Sequence, residues 1–355
     1  MNKYTIIFII MLLWFNYLNN PKKLVSESFL SPVTSEFVGS PAGIQADEGA
    51  LYFYDRALKR ITKVDTNGEK QLTFGREGSG PGEFESVVGF WVFEERYMIY
   101  DYNAFRFNIY HKDGSPDEDI VINENPVHPD RWPPAYPVST EALNTSEVLV
   151  PSQGKGGSLV AVVNIETDSI QFLGSAVGDY LVGSVDRRDI QGAYAAGEIP
   201  DIVDNQVAMG GNQSAVYSFQ QITGILEKYD RSGRLLWEKY LKVPAQETMF
   251  DQFAEENKKR AGDPEQAPIS YHYARDIEVH DDGVAVLLNM PDDDHPLTLV
   301  WVPADGGDSK KITYSGITYS HLPRIDQSFS ISPCDETIYF VDFYDGIIHK
   351  AEWPF

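Results

Sequence analysis

Only one of the 355 residues is cysteine, Cys334, so no intramolecular disulfide can form and packing and hydrogen bonding must hold the fold. A lone cysteine of this kind reads as a small buried apolar residue, because a catalytic thiol needs a base beside it and the sequence marks none. Basic residues are scarce: 29 Lys and Arg stand against 53 Asp and Glu, a formal net charge of -24. That charge repels phosphate backbones and excludes nucleic acid as a partner. The seven histidines show no H-x-x-x-H or other tight metal spacing, and no G-x-S-x-G elbow is present.

Long hydrophobic runs are missing beyond the N-terminus. Lys3 precedes an apolar stretch from Tyr4 to Leu18, and Asn16 to Lys23 (NYLNNPKK) then breaks it. The stretch is shorter than the ~20 residues a spanning helix needs. Residues 1–23 therefore read as a signal peptide, with a weak membrane anchor as the alternative, and 24–355 as a single domain. No A-x-A cleavage site is visible, although Ser26-Glu27-Ser28 has small residues at the right alternation. The expectation is export to the periplasm or outside the cell, with membrane contact only through this segment.

What the chain does have is a repeat. Short β-rich runs such as Ala50 to Asp55 (ALYFYD), Tyr97 to Asp101 (YMIYD) and Thr337 to Asp342 (TIYFVD) are separated by Gly, Asp and Asn. A nine-residue frame recurs at Arg60 to Gly68, Arg106 to Gly114, Ile225 to Gly233 and Thr298 to Gly306, with apolar residues at its second and fifth positions and glycine at its ninth. Each copy is one strand running into a turn that needs the positive φ glycine tolerates. A fifth copy, Ala161 to Ser169, ends on Ser with Asp168 before it, and a sixth, Ile347 to Phe355, begins correctly where the chain stops. The last positions are spaced by 46, 55, 64, 73 and 49 residues, which points to four-stranded propeller blades with insertions.

The expected fold is thus all-β: a six-bladed β-propeller with four-stranded blades. If the frame is each blade's third strand, the last blade lacks its fourth, and Leu24 to Phe37 can supply it from the N-terminus, closing the ring. Two long connections stand out, Ala176 to Ile202 and Val243 to Ile269. In the second, Gln246 to Arg260 places Met249, Phe250 and Phe253 on one helical face, which predicts one short helical insertion between blades 4 and 5. It is either a lid over one mouth of the ring or an insertion packed on the edge.

The segment Leu72 to Phe84 (LTFGREGSGPGEF) resembles the blade linker of NHL-type and TolB-like six-bladed β-propellers, G-x-x-G-x-G-P-G-E-F, and the likeness extends over roughly residues 40 to 122. The resemblance implies an exported bacterial propeller acting as a binding or scaffold protein. The family is often anchored by a lipidated cysteine, which this N-terminus lacks.

Candidate functional residues gather at the connections between blades, where a propeller builds its pocket: Arg76, Arg131 with Trp132, Arg188 with Tyr194, His272 with Arg275, and His321 with Arg324. Such side chains recognise an anionic or carbohydrate-like ligand by forked hydrogen bonds and stacking. Each also has a neighbouring carboxylate with which to pair locally. The first functional reading is a binding module for a small molecule, a carbohydrate or a protein, with no catalytic residue and no cofactor assigned. The alternative is a metal-assisted hydrolase or lactonase with carboxylates at the channel mouth, for which Asp276 and Glu278 are the candidates. The acidic run Asp292-Asp293-Asp294-His295 is a candidate source of Ca²⁺ ligands or a solvated turn.

Overall fold

The computed structural model describes residues 22–123, 127, 139–178, 187–241, 243–263, 265–266, 268–269, 272–292, 294–318, 320, 322 and 327–355. The described chain begins as one extended run, β1 (Lys22–Val25) and β2 (Glu27–Leu30). Blade 1 follows as β3 (Pro41–Asp47), β4 (Ala50–Asp55), β5 (Arg60–Asp65) and β6 (Lys70–Phe74). Blade 2 is β7 (Val87–Val92), β8 (Arg96–Asp101), β9 (Arg106–His111) and β10 (Pro116–Val121). Blade 3 is β11 (Glu141–Ala142), β12 (Glu147–Pro151), β13 (Val160–Asn164) and β14 (Ile170–Leu173). Blade 4 is β15 (Val207–Gly211), β16 (Ala215–Gln220), β17 (Ile225–Asp230) and β18 (Leu235–Tyr240). Blade 5 is β19 (Ala274–His280), β20 (Gly283–Leu288), β21 (Leu297–Pro303) and β22 (Lys310–Ser315). In blade 6, β23 (Phe329–Ile331), β24 (Thr337–Asp342) and β25 (Ile347–Glu352) are completed by β2.

The repeat frame is the third strand of every blade. Its closing glycines take the left-handed conformation the turn requires, with φ of 83° at Gly68, 81° at Gly114, 90° at Gly233 and 77° at Gly306. In the copy that ends on Ser169, the preceding Asp168 takes that conformation instead, at φ 56°. Strands in the middle of a blade are buried on both faces because neighbouring blades cover both, as in the unbroken ALYFYD of β4. Outer strands such as β10 (PDEDIV) face solvent and are polar. Six hydrophobic clusters result, one between each pair of adjacent blades.

Closure uses more of the N-terminus than the outer strand of blade 6. β2 pairs antiparallel with β25, Glu27 opposite Lys350 and Leu30 opposite Ile348. Just before it, β1 adds to blade 5 as a fifth, parallel strand on β22, Lys22 opposite Ile312 and Val25 opposite Ser315. The Ser26 N–H donates to the Ser315 carbonyl at 2.8 Å where the run crosses from one blade to the next. A cut after Ser28 would remove β1 and half of β2.

Among the described residues, three α-helices lie in the connections between blades. The insertion between blades 4 and 5 is α3, Pro244–Ala261, which buries Phe253 and half-buries Met249 and Phe250 against blades 4 and 5. Two more, α1 (Arg187–Ala196) and α2 (Asp201–Asp204), stand between blades 3 and 4, where the sequence suggested only a long connection. Tyr194 of α1 meets Phe253 of α3 edge-on at 6.0 Å, so the two insertions support one another. Gln246 of α3 donates to the carbonyls of Tyr273 (2.7 Å) and Asn289 (3.2 Å), pinning the helix to blade 5. No helix among the described residues is long and apolar enough to cross a membrane.

Antiparallel order within each blade puts the blade-to-blade connections and the turns between second and third strands on one face, here called the upper. All three helices are on this face, over blades 3 to 5. The upper rim of blades 6, 1 and 2 carries no α-helix among the described residues.

Candidate functional site

The second strand of blades 1 and 2 ends in a buried aspartate that holds the connection entering its own blade. Asp55 accepts from the N–H groups of Gly39 (2.5 Å), Ser40 (3.0 Å) and Leu58 (3.0 Å); Asp101 accepts from those of Glu85 (2.9 Å) and Ser86 (2.8 Å). Both carboxylates are fully buried. The first residue of the repeat frame faces each one across the strand pair, Arg60 opposite Asp55 and Arg106 opposite Asp101. Arg106 donates to the carbonyls of Ser79 (3.0 Å) and Glu83 (2.5 Å), and so braces the glycine-rich linker. Gly75 there has φ 77°, and a Cβ on it would lie 2.2 Å from the buried Phe84 ring. The glycines of this linker serve close packing.

These tethers shape a cleft of about 330 Å³ on the upper face, where blades 6, 1 and 2 meet. Tyr54, at the end of β4, stands beside Val87 and Val88 of β7. Arg56 and Lys59 come from the turn after β4, and Phe343 and Tyr344 from the turn after β24. The Arg56 guanidinium lies 4.2 Å over the Phe343 ring, and the Lys59 ammonium donates to the Glu85 carbonyl at 3.2 Å. Burial, then the nearby Asp101 and Asp55 charges, pushes the Tyr54 phenol up to about 12, so it is a neutral hydroxyl at physiological pH. No carboxylate is among the described lining residues.

The expected site residues are placed as follows. Arg76 is largely exposed and bonds Glu83 at 2.7 Å, and the Gly80 N–H and then Arg76 hold the Glu83 carboxyl below its ordinary value. Tyr194 is buried beneath α3. The His272 carbonyl accepts from the Asn289 amide at 2.6 Å, and burial of its imidazole lowers that ring's affinity for a proton. Arg275 donates to the Leu322 carbonyl at 2.6 Å. Arg131, Trp132, His321 and Arg324 lie outside the described residues, as does the side chain of Arg188. Ser320 and Leu322, on the same connection as His321 and Arg324, line the cleft, so Arg275 positions one of its walls. Cys334 is exposed in the turn after β23 and not buried as expected, because that turn projects from the lower face.

Asp276 and Glu278 point the same way from β19, across to β23 of the next blade. Asp276 accepts from the Ser328 N–H (2.6 Å) and hydroxyl (2.9 Å); Glu278 accepts from the Ser330 hydroxyl (2.7 Å) and the Ile331 N–H (2.9 Å). His280 continues the row, 3.4 Å from Glu278. Burial lowers its imidazole's affinity for a proton, but the adjacent Glu278 carboxylate, with Asp282 and Asp281 adding, raises it more, to above the ordinary value. In the acidic run, Asp292 bonds His295 at 2.7 Å, and Asp293 lies outside the described residues. No group of three or more potential metal-ligating side chains is found among the described residues.

Asp276 makes a pH prediction. Burial, with the Glu278 charge adding, outweighs the Ser328 bonds and raises its carboxyl to about 6. An acid whose folded value is raised binds its proton more tightly folded than unfolded, so its contribution is present below the ordinary carboxylate value near pH ~4 and is lost as pH rises through the raised folded value. Urea unfolding at pH 4.5 and 7.5 should show a larger fall for the wild type than for Asp276→Asn. Equal falls would remove Asp276 as the titrating group.

The cleft residues Tyr54, Arg56, Lys59, Phe343 and Tyr344 were not anticipated. The available signal was topological: turns after second strands share the upper face with the blade junctions, and those after ALYFYD and TIYFVD carry the cations and aromatics.

No family model matches the chain, and no curated protein does either. Solved structures match its shape. A candidate exported protein from Bacteroides fragilis is 11% identical with a TM-score of 0.52, over 92% of this chain and 94% of that one. A member of the DUF4221 family from Bacteroides vulgatus is 10% identical with a TM-score of 0.50, over 94% and 96%. At this identity the likeness is one of fold, and with the six closed sheets it makes the chain a six-bladed β-propeller.

Proposed function

We propose that the protein is an exported binding module whose ligand seats in the cleft between blades 6, 1 and 2. The observation that carries this reading is the cleft itself: an apolar floor of Ala42, Val87, Val88 and Leu322 below a rim of hydroxyls, cations and aromatic rings. Apolar walls with a few placed polar groups are what small-molecule sites use. A second depression, about 540 Å³ on the lower face, is lined by Asp281, Asp282 and Glu336, which is ordinary for a surface of this net charge. The leader-like residues 1–23 support export, in line with the candidate exported protein of the same fold.

Filling the cleft tests the reading. Native mass spectrometry of the protein purified from its producing cells should reveal a co-purifying ligand that is lost in Ser86→Trp, whose indole would occupy the cleft. Retention of that ligand by the variant would move the site elsewhere.

A further inference from the structure

We infer that the ligand of this cleft is a small organic monoanion with a planar apolar body, the chemistry of an aromatic carboxylate; the inference rests on the cleft being the binding site. The first support is charge. Arg76, Arg96, Arg106, Arg231, Arg234 and Arg260 each pair with a carboxylate, as expected where acids outnumber bases nearly two to one. Arg56 has no carboxylate partner among the described residues. Its guanidinium lies 4.2 Å over the Phe343 ring on an exposed side chain, so the ring holds the cation while N–H groups remain open to a ligand. Arg56 and Lys59, with no acid among the described lining residues, offer an anion two cations at the rim, set against the buried Asp55 and Asp101 charges behind the wall.

The second support is shape and surface. At about 330 Å³ the cleft is near the lower limit of small-molecule sites, ~300–1,000 Å³. Tyr54, Phe343 and Tyr344 offer ring faces and edges to a flat body, with Val87 and Leu322 below. A sugar would leave these apolar walls covered by hydroxyls with few partners. A dianionic phosphate would call for more N–H donors than one guanidinium edge and one ammonium that already serves the Glu85 carbonyl.

Isothermal titration of the full chain with 2-naphthoate and its neutral isostere 2-naphthamide tests the inference. The carboxylate should bind at least tenfold more tightly than the amide. Arg56→Gln, which alters an exposed side chain and should leave thermal unfolding unchanged, should reduce that preference to less than threefold. Tyr344→Ala should weaken both probes. If the amide binds as well as the carboxylate and Tyr344→Ala weakens both, the anion class is wrong and the cleft remains the site. If the carboxylate's advantage survives Arg56→Gln, the charge recognition proposed here is wrong. If neither probe binds at millimolar concentration, the aromatic-carboxylate class is wrong; the cleft reading falls with it only if the co-purified ligand also survives Ser86→Trp.

Discussion

A chain that starts at Ser31 should fail to fold cooperatively, whereas one that starts at Ser26 should fold with a modest loss of stability. The first deletion removes both β1 and β2 and the second only β1, so the difference between them isolates closure of blade 6 from the extra strand on blade 5. Leu30 is 3% exposed in the cluster between blades 6 and 1, and its loss alone costs about 2–5 kcal/mol on the scale of buried Leu to Ala changes. The Phe29 ring, 5.4 Å from that of Tyr339, adds about 0.5–1.5 kcal/mol. The unpaired edge of β25 is a further loss and a template for aggregation. Against a typical total of ~5–15 kcal/mol, these losses are decisive. The ion pairs beside them are not: Lys22 with Glu352 and Lys350 with Glu27 are exposed, and such pairs contribute about 0–1 kcal/mol each. β1 itself is mostly solvent-facing, with only Leu24 packed inward. Thermal unfolding by circular dichroism should give a Ser26 chain a single transition within several degrees of the full chain and a Ser31 chain a broad transition or none. Normal unfolding of the Ser31 chain would mean the ring does not depend on its N-terminal strand.

Closure was legible because it follows from counting. A repeat frame that is always a third strand, and whose last copy meets the end of the chain, leaves one place vacant, and the preceding apolar segment has residues to fill it. The frame was itself visible because the turn closing it needs one residue at positive φ, glycine at the ninth position in four copies and Asp168 at the eighth in the copy that ends on Ser169. β1 left no such trace: a parallel strand on the outside of a blade buries almost nothing, and its sequence, KKLV, has no alternation to read. Nor did the cleft, since Tyr54 and Tyr344 come from blades at opposite ends of the sequence that become neighbours only when the ring closes. The junction residues singled out from the sequence include Arg76, which satisfies Glu83, and Arg275, which steadies the wall carrying Leu322. Residue type identified where cations sit; only the closed ring distinguishes the paired Arg76 from Arg56, which keeps an edge for a ligand.

Asp101→Ala should be the most damaging single substitution on the upper face, and its effects should extend to the cleft. The carboxylate is fully buried and accepts from two backbone N–H groups, with Arg106 3.7 Å away. Removing it leaves both amides unsatisfied and takes one of two acids from a guanidinium side chain that is 9% exposed, the other being Asp119 at 3.2 Å. Breaking a buried charged network in this way costs about 3–5 kcal/mol. Asp101→Asn preserves volume but not acceptor count, because its NH₂ group must face either the Glu85 or the Ser86 N–H; about 1–3 kcal/mol is the expected cost of the amide left unpaired. Ser86, Val87 and Val88 form the wall that Asp101 anchors, so Asp101→Asn should also weaken binding of any cleft ligand while leaving Arg56 and Phe343 in place. Urea unfolding of the two variants measures the first effect, with Ala worse than Asn and both well below wild type. Hydrogen exchange measures the second: the amides of Glu85 and Ser86 should lose protection in both variants, more than those of Gly39 and Ser40, which Asp55 holds independently in blade 1. Equal loss at all four amides would indicate that the blades loosen together and that Asp101 does not act as a local tether.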